Sequence, residues 1–146
     1  MWNEIKTQDQ VQELMDKVLF FHDSCIKEMK YVSGAYVTDT LAMYPINDKR
    51  VLSVLIQRQF NDIPTLELQF TGVKYLKLCP NGPEFTSEIL GATIILKEDS
   101  IIWCDYDNLT EDQMDEYAST VICAECMRWR IIDDEMGDRP FYESRM

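Results

Sequence analysis

The chain has 146 residues, 26 Asp and Glu against 14 Lys and Arg, and a formal net charge of -12. Its length suits one domain, and 46% apolar residues with 11% aromatics are enough for one core, which excludes global disorder. The acid excess excludes non-specific binding to nucleic acid or to an anionic membrane, since both draw on clustered Lys and Arg.

The opening residues, Met1-Trp2-Asn3-Glu4-Ile5-Lys6, lack the apolar core of a signal peptide. No run approaches the roughly 18 apolar residues of a membrane span; the best, Val51 to Ile56, is broken by Ser53. Cys25, Cys79, Cys104, Cys123 and Cys126 are odd in number, which fits free thiols in a reducing cytoplasm better than a disulfide framework.

The first predicted element is a helix. Thr7 and Gln10 form a capping-box pattern, in which each side chain satisfies a backbone N–H of the other residue. Val11, Leu14, Met15, Val18, Leu19 and His22 then recur at helical spacing, with Glu13, Asp16 and Lys17 on the wet side. Strands follow. Leu52, Val54, Ile56 and Phe60 share one parity of 51–60, and Leu66, Leu68 and Phe70 alternate with Thr65, Glu67 and Gln69. Further strands are expected at 25–37, 73–79, 92–97, 100–105 and 119–132. Pro45-Ile46-Asn47-Asp48, Asn61-Asp62-Ile63-Pro64 and Pro80-Asn81-Gly82-Pro83 read as short turns, and Glu98-Asp99 as a hairpin tip. Such tight connections favour antiparallel pairing.

From Glu98 onward the charge changes character. Residues 98–146 hold 14 acids and 4 bases, so -10 of the total -12 belongs to the last third. Thr110 and Gln113 repeat the capping box, and Glu111, Asp112 and Asp115 suit the positive end of a short helix over 111–118. The tail at 133–146 has too little apolar content to order itself. The expected fold is α+β: an N-terminal amphipathic helix packed on a curved, mainly antiparallel sheet of about six to eight strands, in one domain spanning 1–146.

Few side-chain groupings suggest chemistry. His22 is the single histidine, three residues from Cys25, and an imidazole beside a thiol can generate a thiolate nucleophile. His22 also suits a helix C-terminus, which favours positive charge. Cys123 and Cys126 form a C-x-x-C, but strand residues three apart point to opposite faces, so both read as buried structural cysteines. Asp105, Asp107 and Glu116 match positions 1, 3 and 12 of a calcium loop, whereas Leu109 and Thr110 break the pattern at positions 5 and 6. Arg128 and Arg130 share a strand face opposite Met127, Trp129 and Ile131; they suit an anion clamp or, given the surrounding acids, local charge balance. Trp103 and Trp129 read as core anchors. No phosphate loop, serine elbow or His-Glu metal motif is present, so no metal or cofactor is expected.

Phe21-His22-Asp23-Ser24-Cys25-Ile26, Trp103-Cys104-Asp105 and Arg128-Trp129-Arg130-Ile131-Ile132 resemble phrases of small uncharacterised bacterial proteins. In size and acidity the chain is also loosely similar to bacterial immunity proteins, a resemblance that implies a cytosolic antagonist whose carboxylates engage a basic toxin. The leading expectation is a non-catalytic binding protein. It would use Asp105, Asp107, Glu111, Asp112, Asp115 and Glu116 against a basic protein partner, with no role for nucleic acid or membrane. The alternatives are a small-molecule domain using the sheet's concave face and an enzyme centred on His22 and Cys25. Neither the partner nor the oligomeric state follows from the sequence.

Overall fold

The computed structural model describes residues 1–141. Its elements in chain order are β1 (Asn3–Ile5), α1 (Gln8–Lys17), β2 (Ser24–Val32), β3 (Tyr36–Val37), β4 (Met43–Tyr44), β5 (Val51–Arg58), β6 (Thr65–Lys77), β7 (Thr93–Leu96), β8 (Ile101–Cys104), α2 (Glu111–Glu116) and β9 (Val121–Ile131). The fold is α+β, with one main helix and a seven-stranded sheet whose pairings are antiparallel.

The Thr7 capping box forms as expected. Its hydroxyl accepts from the Gln10 N–H at 3.2 Å, and the Gln10 side-chain oxygen accepts from the Thr7 N–H at 3.0 Å. Val11, Leu14, Met15 and Val18 then drive the helix face into the main core. The stripe does not continue to Leu19 and His22. After Val18 the backbone turns left-handed over Leu19, Phe20 and Phe21, at φ 51°, 55° and 64°. That reversal leaves Leu19 50% exposed and buries Phe21 instead. A left-handed conformation costs roughly 1–2 kcal/mol per residue without glycine. Here it is offset by the burial of Phe21, which meets Trp103 edge-on at 5.7 Å, and by the bond from the Ala92 N–H to the Phe20 carbonyl at 2.8 Å.

The strands lie in the order β2, β5, β6, β9, β8, β7, and β1 also pairs with β9. β6 and β9 form the spine. Along its other edge β9 pairs with β8 at residues 121–124 and with β1 at 127–129. The segments expected at 65–70 and 73–79 are one strand with a kink. Leu66, Leu68, Phe70 and then Val73 enter the same core, and opposite them so do Trp129, Met127 and then Ala124. Both strands therefore break alternation at Gly72 and Glu125. Gly72 has φ +64°, a left-handed conformation that favours glycine, and the Glu125 carboxylate lies over the space a Cβ would take.

The sheet is covered on both faces near β8 and β9. Ile101, Trp103, Ile122 and Ala124 join the core that includes α1, whereas Ile102, Cys104, Val121 and Cys123 join a second core with Leu109 and Met114. β5 likewise buries Leu55 and Arg58 as well as the expected Leu52, Val54 and Ile56. The Arg58 guanidinium donates to the Ile63 carbonyl at 2.7 Å and lies over the Phe60 ring.

Other departures are local. β1 and the small β3–β4 hairpin have no sequence signal, and the latter interrupts the expected 25–37 strand; its Tyr36 and Tyr44 rings stack at 5.2 Å. Ile131, expected inside, is exposed. Pro80-Asn81-Gly82-Pro83 leads into a turn closed by the Phe85 N–H on the Gly82 carbonyl at 3.0 Å, but within a long irregular connection between β6 and β7, not a short one. In the tail, the Glu135 carbonyl accepts from the Gln57 and Thr65 side chains, both at 3.0 Å, so the backbone there is held to β5 and β6; 142–146 fall outside the described residues. No helix among the described residues is long and apolar enough to cross a membrane.

Candidate functional site

The acidic segment begins where β8 ends. Asp105 exchanges two bonds with Thr120, its N–H donating to the Thr120 carbonyl at 3.1 Å and its carboxylate accepting from the Thr120 N–H at 2.8 Å. Burial pushes the Asp105 carboxyl up from its ordinary pKa, and the Thr120 N–H and the positive charge of Lys77 only partly oppose that rise. The chain then turns. Thr93 donates to the Tyr106 carbonyl at 2.7 Å, and Asn108 adopts φ 53°, a left-handed conformation that asparagine tolerates.

α2 starts on the predicted second capping box, Thr110 with Gln113. Met114 anchors it in the second core, so its orientation is fixed. The Lys77 ammonium donates to the carbonyls of Met114 and Tyr117, placing positive charge at the helix C-terminus, where it is favourable. Glu111 pairs with Lys97 at 3.1 Å, which raises the Lys97 pKa.

The six predicted carboxylates therefore divide. Asp105 and Asp107 line a cleft of about 580 Å³ between residues 78–91 and the turns at 105–107 and 118–120. Glu111 is engaged by Lys97. Asp112, Asp115 and Glu116 stand exposed on α2, and among the described residues they and Asp107 form no ion pair within 4.0 Å.

Sequence reasoning missed the apolar part of the cleft, supplied by Ile26, Leu78, Pro80, Ile89 and Leu90. It also missed Tyr106 and Tyr117, whose rings stack at 5.6 Å beside Asp105 and Asp107. The available signal was the length of the 78–92 connection, since long irregular loops in small domains usually carry function.

The remaining candidates resolve differently. His22 Nδ1 donates to the Leu90 carbonyl at 2.9 Å and Nε2 faces the Asp23 carboxylate at 3.4 Å, so oxygens, not the Cys25 sulfur, occupy both ring nitrogens. Cys123 is buried, but Cys126 is exposed, contrary to the expectation for both. The break in alternation at Glu125 also places them on one face by parity instead of opposite faces. Asp105, Asp107 and Glu116 do not converge; among the described residues no group of three or more His, Cys, Asp or Glu could hold an ion. Arg130 is bound by Glu67 at 2.8 Å and Arg128 by the Gln69 side chain at 2.7 Å, and both guanidinium groups lie over Trp2. This is local charge and ring pairing, not a clamp aimed at solvent. Trp103 and Trp129 are buried in the main core.

No family model matches the chain, and no match was found among curated proteins or solved structures.

Proposed function

We propose that this is a non-catalytic binding protein whose acidic end engages a basic protein partner, in the manner of the bacterial immunity proteins it resembles in size and charge. One observation carries the reading. Asp112, Asp115 and Glu116 are displayed on a helix anchored by Met114 and capped at both ends, and Asp107, which forms no ion pair among the described residues, precedes it in the chain. Charges fixed in this way set up a field at a constant place, and such a field steers a cationic partner and raises its association rate. A reducing cytoplasm is the compartment that suits the five free thiols.

The test is kinetic. The full chain is immobilised, basic proteins captured from source-cell extract are purified, and association rates are measured from low to high salt. The reading expects the Asp107→Asn, Asp112→Asn, Asp115→Asn, Glu116→Gln variant to associate about tenfold more slowly at low salt and to lose most of its salt dependence. Unchanged rates and salt dependence would refute it. A second reading, a small-molecule domain, is favoured by the cleft of about 580 Å³, a size within the ordinary range for ligand pockets. It would use this end of the sheet in place of a concave sheet face.

A further inference from the structure

We infer that the cleft beside Asp105 is a pocket for one organic cation, an ammonium or guanidinium group carried on an apolar stem. The inference rests on the cationic-partner reading above and deepens it by naming the group that enters.

The lining decides the charge. Asp105, Asp107 and Glu88 face the cleft, and no Lys, Arg or His is among the described residues that line it. The charged side chains of the lining are thus all acidic, which disfavours an anion and favours a cation. The same cleft is lined by Ile26, Leu78, Pro80, Ile89 and Leu90, apolar surface that suits a hydrocarbon stem. A bare metal ion would waste that surface and find too few oxygens, whereas a cation on a short hydrocarbon chain satisfies both. The cleft volume of about 580 Å³ also exceeds what an ion alone needs. Tyr106, its ring supported by Tyr117, adds an aromatic surface of the kind that attracts ammonium and guanidinium groups.

The cleft is built in advance of any ligand. Asp105 is fixed by its two bonds with Thr120. Asp107 lies so close to Gly91 that a Cβ there would approach the Asp107 Cβ and Cγ to 3.0 Å. The Leu90 and Ile89 carbonyls are held by the His22 ring at 2.9 Å and the Asp23 N–H at 3.0 Å, and the Ile89 N–H donates to the Ser24 carbonyl at 2.7 Å. The left-handed turn after α1 thus places His22 and Asp23 where they tie down the apolar lining.

A cation on a stem has two sources, a Lys or Arg side chain of a protein partner or a free small amine. The experiment is a chemical-shift titration of the full isotope-labelled chain. The probes are n-butylguanidinium, n-butylammonium, neutral n-butanol, and a blocked tripeptide with a central Arg. Both butyl cations should bind at least tenfold more tightly than butanol and shift the amides of Leu78, Ile89, Asp105 and Thr120. Asp105→Asn with Asp107→Asn should weaken them at least tenfold, and Ala118→Trp, at an exposed lining position, should block them without disturbing the core. Asp112→Asn, Asp115→Asn, Glu116→Gln should weaken cleft binding less than Asp105→Asn with Asp107→Asn does, and an equal or larger loss overturns the pocket. Tighter binding of the Arg peptide than of n-butylguanidinium identifies a partner side chain as the occupant. The reverse identifies a free amine as the occupant, which upholds the pocket and leaves the protein-partner reading to the kinetic test above. Equal binding of butanol, or shifts confined to α2, overturns the pocket, while the kinetic test above still decides the protein-partner reading by itself.

Discussion

Asp105 shows how one carboxyl can be set against the stability of its own fold. Burial raises its folded-state pKa above that of the unfolded chain, so the folded state holds the proton more tightly. Its contribution to stability is therefore complete below the unfolded-state value and is lost as pH rises through the raised one. Asn keeps the shape and can still accept from the Thr120 N–H. Asp105→Asn should thus be more stable than the parent at neutral pH, and the gap should close on acidification through that window. Thermal melts across the acidic range check this; a gap independent of pH would contradict it. Asp105 was legible from the sequence as an acid at a strand end. Its burial was not, because that depends on Thr120 and Lys77, brought beside it by the pairing of β8 and β6 with β9. His22 misled for a related reason. Its spacing fits a helix, but Leu19 to Phe21 turn left-handed without a glycine to announce it.

At the scale of elements, two capping boxes of the same design do different work. Thr7 caps a helix whose stripe is continuous with the main core, so Thr7→Ala should lower the global unfolding free energy by about 1 kcal/mol in denaturant melts. Thr110 caps α2, a helix of one and a half turns attached through Met114. Thr110→Ala should mainly lower hydrogen-exchange protection at Met114 and Tyr117, whose N–H groups bond to Thr110 and Gln113 carbonyls, with little change in the global midpoint. Equal effects of the two substitutions on global stability would sink the distinction. Both boxes, and the strands around Leu52–Ile56 and Leu66–Phe70, were readable because local chemistry and period specify them. β1 and the 78–92 loop were not. A three-residue strand exists only because β9 offers it an edge at Met127–Trp129, and a loop's path is set by what it packs on.

For the whole molecule, the decisive feature is the position of β9. It separates β2, β5 and β6 from β7 and β8, and joins both groups as well as β1. A chain ending at residue 120 should therefore lose cooperative unfolding altogether, not merely some stability; urea titration followed by tryptophan fluorescence checks this, and a single sharp transition would count against it. The same arrangement has a consequence during synthesis. Until the segment 121–131 leaves the ribosome, β6 and β8 each carry a bare hydrogen-bonding edge, and bare edges invite pairing with the wrong chain. The nascent chain thus passes through an aggregation-prone interval that closes when its central strand, made after all the other described strands, slots between two waiting halves.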